Sequence, residues 1–427
     1  MPIIRILNFY IPLALSGILM TLQQPVINAA LARTLNSTTV LGAYGITISL
    51  AVLLESPIQM ILQVANALVK DRHSFIVVKL FMITLSLVMV VIGGLALATP
   101  FAKFLLERLL SLSPEVANQA HSALMIMIPW PLVIAWRRFY QGILITAGKS
   151  KSVGFATTFR ILTIAGASFV GIWLYPWGTA AIGAFALLAG AIVEAFVVTL
   201  WAWPTVRNSI WNNRAAHGSY SVSYKKLITF YIPLALKSFL TILTWPIISG
   251  GISRAAESRL SLAAWPVVLS MYWLVATPIE MLQPVTISLS KDVKNIPSVR
   301  RFAFFAGAVG SLSLFLFAIS PIVEFYLYGL IGASEDVKKF AVHGILIMFA
   351  LPLIVALQNF FQGLLILRHR TRSILTATMV NTLLLLSVIA FGVMCFQIKG
   401  IFLAPLAMIF SLTVETCLLF GQIKRLQ

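Results

Sequence analysis

Eight ionisable side chains stand inside the long apolar runs of this chain: Glu55, Glu194, Glu280 and Glu415, with Arg137, Arg138, Arg160 and Lys237. A charge embedded in apolar sequence is costly to keep there, which makes each of them a candidate for binding or ion movement. Glu55 and Glu280 read as ion-coupling carboxylates, able to take up and release a proton or a sodium ion. The other reading of Glu55 is a carboxylate neutralised by a neighbouring base. Arg137, Arg138 and Lys237, with the polar Gln358 and Asn359, read as substrate contacts, because guanidinium groups grip carboxylate and phosphate with paired N–H bonds. Arg160 and Glu194 fall at comparable depth in adjacent runs and read as a structural ion pair. Glu415, whose partner position holds the neutral Asn381, reads as its hydrogen-bonded equivalent.

Soluble enzyme chemistry finds no footing in the same sequence. The five histidines are scattered without metal spacing, and the two cysteines stand singly in apolar runs, so no cysteine metal site or disulfide framework is formed. Gly142 to Gly148-Lys149-Ser150 resembles a phosphate loop, but it has one residue too many and lies in an apolar run. The reading is of a protein that is not an enzyme, needs no cofactor or metal, and couples to protons or sodium ions if it couples at all.

The apolar runs themselves must position those charges. The chain has 427 residues, 60% of them hydrophobic and only 10% charged, against about 25% charged in an ordinary globular domain. About 20 apolar residues cross a bilayer as a helix, and the breaks divide the chain into twelve such spans near 6–32, 40–69, 75–100, 119–147, 153–175, 179–203, 226–253, 260–290, 302–321, 340–367, 373–395 and 400–423. The first is too long and too polar for a cleavable signal peptide and reads as a retained membrane helix. Uninterrupted apolar runs exclude the alternating strands of a membrane barrel. The formal net charge of +19 is topological rather than a sign of nucleic-acid binding. Most Lys and Arg fall at the two termini and in the even-numbered loops, as at Lys70, Arg72, Arg300, Arg301, Arg368 and Arg370, which places both termini in the cytoplasm.

The chain is also duplicated. Phe9-Tyr10-Ile11-Pro12-Leu13-Ala14-Leu15 recurs as Phe230-Tyr231-Ile232-Pro233-Leu234-Ala235-Leu236, and the offset of 221 holds without gaps from Pro25 with Pro246, through Pro57 with Pro278 and Gln141-Gly142 with Gln362-Gly363, to Glu194 with Glu415. Each half carries six spans, so the repeats are parallel, as in transporters whose substrate site lies between two halves. The expected division is an N-terminal lobe of residues 1–206, a cytoplasmic linker over 207–224 and a C-terminal lobe of 225–427. Pro25 and Pro246, deep in the first span of each half, read as hinges or as fixed kinks. Ala186 and Gly190 form a small-xxx-small pair that lets spans approach closely.

Six plus six helices in parallel, with a paired proline in the first span, Lys-Asp ending the second and Gln-Gly in the fourth, resemble the multidrug/oligosaccharidyl-lipid/polysaccharide (MOP) exporter superfamily, which includes the MATE transporters. Within it the chain is most similar to the progressive ankylosis (ANK) proteins, through Ile4-Arg5 leading to Pro12-Leu13, Leu41-Gly42-Ala43-Tyr44-Gly45 with Ser49-Leu50, Ala135-Trp136 before Gly142-Ile143-Leu144, and Glu415-Thr416. It departs from them at the Arg137-Arg138 pair. The resemblance implies two six-helix lobes around a central cavity with alternating access and, for the ANK branch, export of small polyvalent anions such as pyrophosphate, citrate or nucleotides. The expected protein is a monomeric, all-α secondary transporter of the cell (inner) membrane, with the lipid bilayer and a small organic or phosphate-containing anion as its partners. A MATE-type antiporter of organic cations and a lipid-linked oligosaccharide flippase are the alternatives.

Overall fold

The computed structural model describes residues 3–110, 112–175, 178–211, 223–324 and 335–425. Among them regular structure is helical, apart from one isolated bridge between Ala256 and Lys399. The first half of the sequence forms α1 (Ile3–Leu31), α2 (Ser37–Glu55), α3 (Ile61–Leu68), α4 (Arg72–Ala98), α5 (Pro114–Ile126), α6 (Trp130–Thr146), α7 (Ser150–Leu174) and α8 (Ala180–Thr205). The second half repeats the order as α9 (Tyr224–Arg254), α10 (Ser258–Glu280), α11 (Leu282–Leu289), α12 (Ile296–Ile319), α13 (Glu335–Met348), α14 (Leu351–Leu367), α15 (Thr371–Cys395) and α16 (Gly400–Lys424). Among the described residues ten helical segments are long and apolar enough to cross a membrane, and two bent pairs make up to 12. The chain is thus an all-helical, multi-span membrane protein.

Helix edges depart from the apolar runs where polar turns stay helical. The ninth span begins at Ile296 and carries Arg300 and Arg301 within its first turns, well before the expected edge at 302. The fourth and tenth spans are not single rods: α5 meets α6 at 44° and α13 meets α14 at 41°. In the first of these, Pro129 and Pro131 remove two backbone donors around the turn.

The second span of each half is also interrupted. Helix α2 ends at Glu55, tightens through Ser56-Pro57-Ile58 and restarts as α3 at Ile61. Its counterpart α10 ends at Glu280, two residues past Pro278, and α11 restarts at Leu282. The two candidate coupling carboxylates therefore sit at helix breaks. Pro25 and Pro246, by contrast, lie within α1 and α9, which run on without interruption.

The chain forms two compact units, one of Met1–Ala14 with Ile232–Gln427, the other of Leu15–Tyr231. Each half therefore gives the first turns of its leading helix to the opposite unit, a division that differs from lobes of 1–206 and 225–427. Residues 212–222 of the expected linker lie outside the described residues. The exchange follows the repeat. In the unit containing the C-terminal half, Tyr10 donates to the carbonyl of Pro278 at 3.1 Å and meets the Phe302 ring edge-on. In the other unit, Tyr231, its counterpart, donates to the carbonyl of Pro57 and packs on Phe81.

Glycine sets the closest helix approach inside each unit. A Cβ on Gly142 would stand 2.6 Å from the Leu62 carbonyl oxygen and 2.8 Å from Ala65, and one on Gly363 would meet Thr286 and Gln283 in the same way. Backbone cannot yield as a side-chain tip can. G142A is expected to lower the melting temperature of the purified protein more than A135G, a change in the opposite sense about two turns earlier on the same helix; equal or smaller loss for G142A would show that α3 and α6 can separate freely.

Candidate functional site

Helices α6, α7 and α8 converge on one buried carboxylate in the Leu15–Tyr231 unit. Gly190 makes this possible: a Cβ there would meet Ile164 at 2.5 Å and the Arg160 carbonyl at 3.0 Å, so α7 and α8 approach closely enough to carry Arg160 to Glu194. Glu194 is fully buried. Its Oε2 accepts from Arg137 and Arg160, each at 3.0 Å, and its Oε1 accepts from Gln141 and Thr157, also at 3.0 Å. Four donors saturate both oxygens, which is the condition for keeping a carboxylate ionised away from water. Arg160 extends its other amine to Gln23 Oε1 at 2.8 Å and lies over the Trp130 ring.

The same nest recurs in the other unit at the repeat offset, with its cations exchanged for amides. Glu415 accepts from Thr378 and Asn381 at 2.8 Å, from Gln362 at 3.3 Å and from Gln358. Gln358 stands at the Arg137 position and Asn381 at the Arg160 position. Lys237, half-buried, lies in the electrostatic field of both Glu415 and Glu280; its counterpart Ser16 is 2.7 Å from Thr157 in the first nest.

Glu55 has no such twin, since Ala276 occupies its repeat position. It is 5% exposed. Its Oε2 accepts from the Trp130 indole at 2.9 Å and its Oε1 from Gln59 at 2.7 Å. Arg138 donates to Gln59 Oε1 and lies 3.6 Å from Glu55 Oε1. This network and the Glu194 nest share one cavity of about 180 Å³, with a polar lining of Gln23, Gln24, Glu55, Gln59, Arg137, Arg138 and Arg160. Two carboxylates against three guanidinium groups leave one net positive charge. The Nε–H groups of all three arginines are buried and make no hydrogen bond. A cavity of the other unit, of about 480 Å³ beside Pro246 and Gly250, is apolar except for Arg254.

The structure thus brings Glu55, Arg137, Arg138, Arg160 and Glu194 together. Arg137, read as a substrate contact, lines the cavity and has one amine committed to Glu194, because its direction around α6 points it toward α8. Arg138, about 100° further round that helix, faces Glu55. Glu280, read as a coupling carboxylate, ends α10 within the span Ser258–Leu289 and is exposed. Gln358 is a Glu415 donor, and Asn359 bonds its own helix at the Val355 carbonyl. Pro25 and Pro246 are not part of the polar cavity. Sequence reasoning missed Gln59, Trp130, Gln141 and Thr157 because none is charged; the repeated Gln141 and Gln362 were the available signal.

Residues 1–300 match the progressive ankylosis protein (ANKH) family. Among solved structures, an outward-facing multidrug resistance MATE family transporter of the MOP superfamily superposes with a TM-score of 0.80 at 14% identity, over 98% of this chain and 95% of that one. A MOP superfamily transporter from Pyrococcus furiosus, whose binding pocket is described as of reverse polarity, gives 0.76 at 14% identity over the same shares. A MATE protein in its bent conformation gives 0.76 at 12% identity, over 98% of this chain and 94% of that one. At these identities the likeness establishes the fold, which is that of the MATE transporters.

Proposed function

This chain belongs to the progressive ankylosis protein family, and from that premise we propose that it is a secondary active transporter exporting a small, multiply charged organic or phosphate-containing anion across the cell (inner) membrane by alternating access. The observation that carries this reading is the set of three guanidinium side chains around one small cavity, with a single carboxylate, Glu55, on its wall. Counted with Glu194, these groups keep one net positive charge away from bulk water, which is costly to leave uncompensated, and an anion would balance it. Arginine suits carboxylate and phosphate oxygens in geometry as well as charge.

Charge and size argue against the alternatives. An organic cation would enter beside three guanidinium groups with Glu55 as the only carboxylate on the wall. The volume lies below the roughly 300–1,000 Å³ typical of sites for drug-sized ligands, which also disfavours a lipid-linked oligosaccharide. Pocket polarity varies within the fold, as the Pyrococcus furiosus transporter's described reverse polarity illustrates. Energy would come from an ion gradient, the membrane potential or the substrate's own gradient, and the working form is a monomer. Glu55 is the candidate coupling group; the exposed Glu280, near Lys237, is a second candidate on the other unit.

A thermal-shift screen of the purified protein, followed by uptake into proteoliposomes, tests the reading. Citrate and pyrophosphate should raise the melting temperature and be transported, with nucleotides, larger than the cavity, weaker. Stabilisation and transport of cationic dyes without any response to these anions would overturn it.

A further inference from the structure

Within that reading, on which this step rests, we infer that Glu55 is a built-in rival of the transported anion, so that a dianion loads by displacing Glu55 from Arg138 and crosses together with a proton held by Glu55. Arg137 and Arg160 have their own carboxylate in Glu194, at 3.0 Å each. Arg138 has only Glu55, and holds it loosely, at 3.6 Å and through the Gln59 amide. A substrate oxygen arriving at Arg138 therefore competes with Glu55 and not with Glu194.

Charge counting sets the valence. With Glu55 ionised, the five charged groups of the cavity leave +1; with Glu55 neutral they leave +2, which a dianion cancels. The surroundings of Glu55 disfavour a metal cation, and a dianion taking its place on Arg138 sets negative charge beside the carboxylate, which draws a proton to it. The groups reaching it are N–H donors: Gln59 from the same break, Trp130 and Arg138 from α6. A sodium ion needs several oxygen ligands, as hard cations do. The other charged groups of the site carry the wrong sign or are already engaged: Arg137 on α6 and Arg160 on α7 are cations, and Glu194 on α8 has both oxygens filled. Gln23 and Gln24 on α1 are neutral, as is the Tyr231 phenol on α9, which lies in the field of Arg138.

Coupling of this kind is reciprocal: whatever neutralises Glu55 strengthens anion binding, and the anion strengthens proton uptake by the same factor. The sign is that of symport. A carboxylate that itself bound a cationic substrate would release it on protonation and give exchange. Each cycle moves one proton with two negative charges, and an inside-negative potential drives that net negative charge outward.

Sulfate is a suitable probe, because its charge stays at −2 between pH 5 and 8. Binding to the purified wild-type protein should strengthen as pH falls, and E55Q, which fixes Glu55 in its neutral form, should bind sulfate about tenfold more tightly than wild type at pH 8 with little dependence on pH. Adding sulfate to weakly buffered wild-type protein should also take up protons, toward one per site, a readout that needs no variant. Wild-type binding that strengthens as pH rises, an E55Q protein that folds but binds no more tightly, or the absence of proton uptake would overturn symport while leaving anion binding in place. Failure of sulfate, citrate and pyrophosphate alike to bind wild type or E55Q at any of these pH values would overturn the anion reading, and this inference with it.

Discussion

Replacing Glu194 by glutamine is expected to eliminate most of the folded protein recovered from membranes, whereas converting its two arginine partners to the residues of the other nest should not. In E194Q, Arg137 and Arg160 remain buried with no carboxylate between them, and the cavity's net charge rises by one. Breaking a buried ion pair from one side costs about 3–5 kcal/mol because of the charge left behind, against a total stability of only about 5–15 kcal/mol. The R137Q/R160N double variant keeps Glu194 and surrounds it with Gln, Gln, Thr and Asn, the set that supports Glu415 through Gln358, Gln362, Thr378 and Asn381. One half of the molecule already folds around that arrangement with Lys237 in the field of its carboxylate, and the double variant leaves Arg138 in the field of Glu194. Size-exclusion profiles and melting temperatures in detergent separate the cases. An E194Q protein as stable as wild type, or an R137Q/R160N protein that fails to fold, would mean that the nest is not what holds α6, α7 and α8 together.

The repeat register was the most informative feature of the sequence, because one number, an offset of 221, predicts a contact in one half from a contact in the other. Every donor to Glu194 has its counterpart donating to Glu415, and the pairing of Arg160 with Glu194 was legible from their matched depth in adjacent spans. Gln141 and Thr157 share the register but carry no charge, and nothing in an uncharged residue's composition separates a carboxylate ligand from a solvated polar group. Counting residues along a span gives depth but not direction. Depth placed Glu55 and Glu280 one turn apart in the repeat register, Glu280 at the position of Gln59, yet one is buried against Trp130 and the other exposed. Pro57 and Pro278 were visible as a pair; that the helices stop beside them depends on neighbours that satisfy the freed carbonyls, among them Tyr231 and Tyr10 from the opposite half. Such long-range partners leave no local pattern to read. The division into units shows the same limit, since the exchange of leading turns is a property of packing and not of hydropathy.

Removing Arg138 is expected to weaken anion binding strongly while sparing the fold, the reverse of the outcome at Glu194. Arg138 is the cavity cation without a saturated partner, its Nε–H is unmet, and its repeat counterpart Asn359 is neutral, so the fold tolerates an amide at this point of the helix that follows the bend. Glu55 keeps its bonds from Gln59 and Trp130 in R138Q. A hydrogen bond to a charged group contributes about 1.5–3 kcal/mol, and losing the cation whose carboxylate partner the substrate displaces should weaken binding by about 30-fold or more. R138K should fall between wild type and R138Q, because an ammonium keeps the charge but not the planar fork that reaches Gln59 and an anion's oxygens at once. R137Q provides the contrast: Glu194 retains Arg160, Gln141 and Thr157, the cavity loses one cation but keeps Arg138, and binding should drop less than in R138Q. Titration calorimetry with citrate and pyrophosphate, on samples whose melting temperatures match wild type within a few degrees, orders the three variants. If R138Q binds as wild type does, or if R137Q loses more than R138Q, the anion does not dock on Arg138, and the cavity that Glu55 faces is a feature of the helix break alone.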